Sequence, residues 1–309
     1  MHITEISELP NFYIIGAAKS GTTALFDILA QHPQVFVPFV KEPTFFNNDA
    51  NYSKGLEWYK KTYFKNANKF PARGEATPHY LYWGEKVASR FQQIYKQNEV
   101  KFIVIFRDPI KRAYSQYWMD IHRGIESLSF KDALKAEEQR LLDKHKDLEQ
   151  NGLLKYGYFK GGCYATLLEP YLQRFPREQF HFLLQDDLHR NFSKAMEQLT
   201  DFLGIQKNFA FYPVESNLAY IPRNLKLHNF LLYKAGPYKK VYRKLIHFLP
   251  ESSRYRIRTK LIQINRRQQS NPTMDPDDEK NLRNRFIVEI KRLETIMNRD
   301  LSEWLKEVK

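Results

Sequence analysis

Cysteine is nearly absent from this chain: Cys163 is the single example in 309 residues. One thiol excludes an internal disulfide framework and any metal site built from several cysteines, and it suits a reducing compartment. Long hydrophobic runs are missing too. No stretch approaches the roughly 18 apolar residues of a membrane-spanning helix. Residues 1–11 are largely polar, with no secretory-signal pattern. The expected location is cytoplasmic, with membrane association left open. There is no internal repeat and no low-complexity linker. Acid is scarce in one place: Arg223 to Met274 holds thirteen Lys/Arg and one acid, Glu251, so most of the net charge of +14 lies there. Such a segment expects an anionic partner, although a solvated face would read the same way.

What is present supports a folded core. The composition is 42% hydrophobic and 15% aromatic, which argues against disorder. Phe12–Ile15 reads as a short buried strand and Thr22–Gln31 as a helix with Leu25, Ile28 and Leu29 on one face. Helices are expected at Tyr52–Tyr63, Tyr80–Gln97, Ser129–Gln150 (charged and mostly exposed), Cys163–Phe175 and Asn191–Leu203, the last ended by Gly204. Val100–Phe106 and Gln179–Leu184 read as strands. Residues 205–225 read as loop, and the basic segment as one or two helices. Asp275-Pro276 starts a last helix, with Leu282, Phe286, Ile290, Leu293 and Ile296 at helical spacing. Short strands alternating with helices predict a single P-loop-like α/β domain over residues 1–309. Its central sheet is mainly parallel, with helices on both faces, and 223–273 form a basic helical or loop insertion.

Ligands in such folds bind beyond the carboxyl ends of strands, and two motifs lie there. The first is "GAAKSGTT", Gly16–Thr23. Glycines admit an anion close to the backbone, the opening turn of the helix favours negative charge, and Ser20, Thr22 and Thr23 add hydroxyls. Gly16 and Gly21 keep the spacing of a nucleoside-triphosphate loop, but Thr22 stands where its lysine belongs, and the lysine is Lys19. The second is "FRDPIKRAYSQYW", Phe106–Trp118. Arg107 leaves a strand end with a fork suited to phosphate. Asp108 precedes Pro109 as a helix cap, Ser115 follows two turns on, and Arg112 reads as surface. Together they imply a ligand with two separated anionic groups.

"AAKSGTT" paired with "RDPIKRAYSQYW" resembles the sulfotransferases that use 3′-phosphoadenosine 5′-phosphosulfate. "VKEPTFF" (40–46), "GEATPHYLYW" (74–83), "GGCYATLLEPYLQRFPREQFHFLLQDDL" (161–188) and "NPTMDPDDEKNLRNRF" (271–286) are similar to segments of carbohydrate-acting, heparan-sulfate-type members. The weakest likeness is at 205–265. The resemblance implies that Lys19, Ser20, Gly21, Thr22 and Thr23 hold the 5′-phosphosulfate, with Lys19 stabilising the leaving oxygen. It implies that Arg107 and Ser115 hold the 3′-phosphate, that Tyr164 lies near the nucleotide, and that Arg266 and Arg267 close on the 3′-phosphate. Glu42 is the first choice for the base that deprotonates the acceptor, with Glu75 and His79 as rivals. Ala76 stands where the family has a lysine, and Lys41 is the nearby cation that could replace it. No acidic cluster suggests a metal, and none is expected.

The implied reaction moves a sulfuryl group to a hydroxyl, or less favourably an amine, of a saccharide or glycolipid acceptor. Cations and aromatics interleave over 223–273. This suits an acidic glycan first, a peripheral membrane face through "YKKVYRKLIHFLP" (238–250) second, and nucleic acid least. Two rivals stand beside the enzyme reading: a P-loop kinase or NTPase, and a non-catalytic protein that binds an anionic polymer or membrane surface.

Overall fold

A computed structural model describes residues 9–96, 99–142, 155–214, 220–233, 251–268 and 270–306. Five parallel strands form the central sheet: β1 Phe12–Gly16, β2 Val35–Phe36, β3 Ala72–Ala76, β4 Lys101–Phe106 and β5 Phe180–Leu184. Their order is β2-β3-β1-β4-β5. Successive strand residues face opposite sides, and the two faces bury separate cores. Tyr13, Ile15, Phe102, Val104 and Phe106 join one; Phe12, Ile14, Ile103 and Ile105 join the other.

Helices cover both faces, as the alternating sequence requires. They are α1 Thr22–Leu29, α2 Asp49–Tyr52, α3 Gly55–Tyr63, α4 Gly84–Ile94, α5 Pro109–His122 and α6 Phe130–Leu142, followed by Tyr164–Leu172, Phe192–Leu203, Leu225–Tyr233, Glu251–Ile264 and Pro276–Met297. Leu25, Ile28 and Leu29 of α1 pack with Ala195, Met196 and Leu199 on one side. Phe91 of α4, Leu168 and Phe286 lie in the core on the other. Asp108 caps α5 as its sequence suggests, its Oδ1 accepting from Ile110 N at 2.9 Å, a contact worth about 1 kcal/mol.

Several boundaries differ from the sequence reading. The helix expected over Tyr52–Tyr63 is two, because Gly55 sits at φ +80 between them. Pro78–Trp83 forms a 3-10 turn ahead of α4 rather than part of one helix from Tyr80. Strands β2 and β3 were not expected. Residues 205–225 are not all loop: Tyr220–Pro222 pairs antiparallel with Arg266–Gln268, so Arg266 and Arg267 sit in a small sheet. The 238–250 stretch and residues 143–150 lie outside the described residues. Among the described residues no helix is long and apolar enough to cross a membrane.

Candidate functional site

The loop between β1 and α1 is built around two tight backbone positions. A Cβ on Gly16 would come within 2.6 Å of Leu81, so glycine lets the Pro78–Trp83 turn approach the loop. Gly21, at φ +100, precedes α1, and that helix opens with no side-chain cap and no acid in its first turn. Its free N–H groups and dipole are left for an anion. Ser20 is fully buried beside the Tyr164 hydroxyl, and its Oγ makes no hydrogen bond. An orphaned buried hydroxyl facing an uncapped helix fits a phosphate oxygen. Thr22 is buried and Thr23 half-buried at the same helix start.

Lys19 adopts φ 70, and its Nζ rests 3.6 Å from Met119 Sδ on α5. Thioether sulfur is a weak acceptor, so the ammonium is held in place without being neutralised. Burial, with Arg123 and Arg107 nearby, draws its pKa down to about 8, against the opposing pull of Asp120. Arg107 Nη1 donates to Lys19 O at 3.3 Å, which joins the two strand-end motifs in one crevice. Burial lowers the Arg107 pKa as well. Tyr164 is a buried core residue against Phe106, and its hydroxyl donates to Arg107 O at 2.9 Å, fixing the peptide from which the guanidinium projects. Ser115 lies one turn before Met119 on α5, on the same helix face. The Tyr220–Pro222 strand packs against α5. It places Arg267, which is exposed, in the sheet bordering that helix.

Across the crevice, Phe45 and Phe46 anchor the Lys41–Phe46 segment in the core against Tyr59, Tyr80 and Phe91. Glu42 Oε1 accepts from Lys41 Nζ at 2.8 Å. Burial acts to raise the Glu42 pKa, but Lys41, His79 and Arg123 together hold it below the usual carboxylate range. Burial, reinforced by Lys41 and Arg123 and opposed by Glu42, lowers the His79 pKa, so its imidazole is neutral at pH 7. Arg123 thus lies within electrostatic reach of Lys19, Glu42 and His79.

Glu75 is elsewhere. It is fully buried in β3, with Oε1 accepting from the Tyr59 and Tyr80 hydroxyls at 2.5 and 2.9 Å and Oε2 from Thr77 at 2.5 Å. Burial pushes its pKa up to about 7 despite the three hydroxyls. Tyr80 Oη also accepts from Phe45 N at 3.1 Å, so this carboxyl supports the segment carrying Glu42. A folded-state pKa raised from 4.5 means that the folded chain holds a proton that the unfolded chain has lost. Stability therefore falls as pH rises from about 4.5 to about 7 and levels off above, a loss on the order of 3 kcal/mol. Glu75→Gln is expected to remove that fall, measured as the difference in urea midpoint between pH 5 and pH 7.5 for the two chains. An unchanged difference overturns it.

The sequence reading misplaces Arg112 and misses Asp120, Arg123 and Gln185. Arg112 is not surface: it is fully buried and donates to Tyr82 Oη (3.1 Å), Gln116 Oε1 (2.6 Å), Gly157 O (3.1 Å) and Tyr158 O. Asp120 is buried beside Lys19 with neither oxygen bonded, and burial pushes its pKa up to about 8. Arg123 stands eight residues after Ser115, and the shared helix face was the available signal. Gln185, after β5, lies 3.6 Å from where a Gly21 Cβ would be. It lines, with Arg107, Lys111, Asp186 and Arg299, a cavity of about 550 Å³ beyond the ends of β4 and β5. That cavity shares Arg107 with the crevice but includes neither Lys19 nor Glu42, and its walls mix both charges. The loop crevice, with cations facing a carboxylate, is the better chemical site.

Comparison with known proteins agrees with this geometry. A sulfotransferase-domain family model matches residues 9–230. Heparan sulfate glucosamine 3-O-sulfotransferase 5 of Homo sapiens is 33% identical over 215 residues, covering 69% of this chain and 58% of that protein. The chain thus spans under two thirds of that relative's length. The membrane-associated sulfotransferase kil1 of Dictyostelium discoideum is 26% identical, over 72% of this chain and 62% of that protein. Among solved structures, a sulfotransferase from Alicyclobacillus acidocaldarius superposes with a TM-score of 0.67 at 25% identity, covering 96% of this chain and 99% of that one. With the family model spanning most of the chain and its loop and strand-end arginine meeting in one crevice, this protein belongs to the sulfotransferase family.

Proposed function

We propose that the chain transfers a sulfuryl group from 3′-phosphoadenosine 5′-phosphosulfate to a hydroxyl of a saccharide-type acceptor, free or lipid-linked. One observation supports the reading: Arg107 Nη1 donates to the Lys19 carbonyl, so the two strand-end motifs are in contact. A nucleotide with anions on both sides of its ribose needs that arrangement. The 33% identical relative is named for 3-O-sulfation of heparan sulfate glucosamine, which favours a saccharide hydroxyl over an amine. The same reading treats residues 1–309 as one sulfotransferase domain carrying the 223–273 insertion.

In this mechanism the α1 N-terminus, Ser20, Thr22 and Thr23 bind the 5′ end, and Arg107 and Ser115 bind the 3′-phosphate, with Arg266 and Arg267 closing over it. Glu42 takes the proton from the acceptor hydroxyl as its oxygen bonds to sulfur. The bond from sulfur to the bridging phosphate oxygen breaks in line, and Lys19 meets the charge left on that oxygen. Lys19 and Arg107 supply fixed counter-charge, so no metal is required. Lys41 holds Glu42 in its ionised, oriented state, with Arg123 adding charge nearby. Glu75 has the pKa closer to neutrality, but reach comes before pKa in choosing a base, and its oxygens are both occupied by hydroxyls.

The test is calorimetry with adenosine 3′,5′-bisphosphate against ATP, followed by a labelled-donor assay on a glycan panel. The expected result is a clear preference for the bisphosphate, weakened about ten- to a hundredfold by Arg107→Ala, the loss of a charge-assisted phosphate contact. Magnesium-dependent ATP turnover without bisphosphate affinity would establish the NTPase rival instead. Bisphosphate binding with no transfer to any acceptor, and biological activity retained in Lys19→Ala, would favour a non-catalytic binding protein.

A further inference from the structure

The described part of the basic segment carries a face that the proposed reaction does not use. In the helix Glu251–Ile264, Ile257, Leu261 and Ile264 are 44%, 39% and 63% exposed. At 100° per residue their spacing puts them on one stripe. Arg254 and Arg258 flank it on one side, and Arg256 and Lys260 on the other. Ile262, on the far side, is buried. A solvated basic helix has no use for three exposed aliphatics in line, and a core helix would not border them with four cations.

A second helix adjoins this one. Asn265 Nδ2 donates to Asn224 O, and Asn224 N donates to Asn265 Oδ1, both at 2.9 Å. This bracket brings the Ile264 end of one helix to the Leu225 end of Leu225–Tyr233, where Leu225 and Leu227 are also exposed. The face borders two segments that carry crevice residues. Leu225 Cδ2 lies 3.2 Å from where a Gly124 Cβ would be, next to Arg123. Arg256 stacks 4.9 Å over the ring of Phe39, itself exposed, three residues before Glu42.

From this arrangement we infer that the Glu251–Ile264 helix, with Leu225, Leu227 and Phe39, seats the protein on an anionic lipid surface with the crevice mouth at its edge. Aliphatic side chains in a row enter the acyl boundary, while Lys and Arg on either side extend to the headgroups. A soluble polyanion engages the cations but leaves the aliphatic stripe in water. A second copy of this chain covers the stripe only by opposing like charges. The lipid surface is the occupant that satisfies both. This inference goes beyond the proposed reaction and does not depend on it.

Sedimentation of the whole chain with phosphatidylcholine vesicles, with and without phosphatidylglycerol, tests it. The protein is expected to bind the anionic vesicles and not the neutral ones. I257S/L261S/I264S is expected to bind them about a hundredfold or more weakly, while its affinity for adenosine 3′,5′-bisphosphate matches the parent's. Replacing Arg254, Arg256, Arg258 and Lys260 by Gln is expected to weaken vesicle binding and its salt dependence together. The inference is overturned if the parent binds neither vesicle, or if the apolar triple variant binds undiminished. It is overturned equally if the parent is a dimer that the triple variant dissociates. Vesicle binding without bisphosphate binding would remove the proposed reaction and leave this face intact.

Discussion

Glu42→Gln is expected to lower turnover by about 10²–10⁴-fold, the usual contribution of a positioned general base, with bisphosphate affinity unchanged within about twofold. The substitution keeps shape and keeps an oxygen for Lys41, whose Nζ lies 2.8 Å from Oε1. Proton acceptance and the negative charge facing Lys41 are lost. The pH profile sharpens the test. Lys41, His79 and Arg123 outweigh burial and hold this carboxyl below its ordinary 4.5, so kcat/KM should be flat down to about pH 5. Were Glu75 the base, the acid limb would fall near pH 7, where burial places that group. A loss of less than tenfold in Glu42→Gln, with a large loss in His79→Ala, would move the role to the imidazole beside it.

Lys19→Ala is expected to cost about 10²–10³-fold in turnover, the scale of one preorganised group that stabilises developing charge. The backbone there is left-handed at φ 70, a conformation that strains lysine and alanine alike, so thermal stability should change little. The ammonium also sets an alkaline limit. Its pKa of about 8 means that a rise in pH through 8 removes the charge the nucleotide needs, and bound phosphate shifts the equilibrium back toward the cation. Bisphosphate affinity measured across pH 7 to 10 should therefore decline above about pH 8 in the parent. Lys19→Arg, which keeps its charge in that range, should show no break there. A parent profile flat through pH 10 would exclude Lys19 from the binding site.

Both strand-end motifs were legible because their signals are local. Glycine spacing marked the β1–α1 loop, and an apolar β-branched run followed by Asp108-Pro109 marked β4 and the start of α5. Strand β3 was not legible: "ARGEA" carries Arg73 and Glu75, and Glu75 is tolerated only because three hydroxyls reach it from Tyr59, Thr77 and Tyr80. Two-residue β2 is too short for any periodicity to show. Arg112 read as surface because Gly157 and Tyr158, whose carbonyls it holds, lie far along the chain. Arg123 could have been flagged by helical spacing from Ser115; Asp120, five residues on, could not, nor could the coupling of either to Lys19. The stripe at Ile257, Leu261 and Ile264 is periodic in the sequence, but only folding shows which side of that helix is left uncovered.

The strand order has a consequence for synthesis. β1 is the first of the sheet's five strands to leave the ribosome, yet it lies at the middle of the sheet, and both its neighbours, β3 and β4, follow much later. Until residue 76 has emerged, both rows of its peptide groups are unclaimed, and the row facing β4 stays open until residue 106, so the nascent chain spends that interval exposed to misassociation.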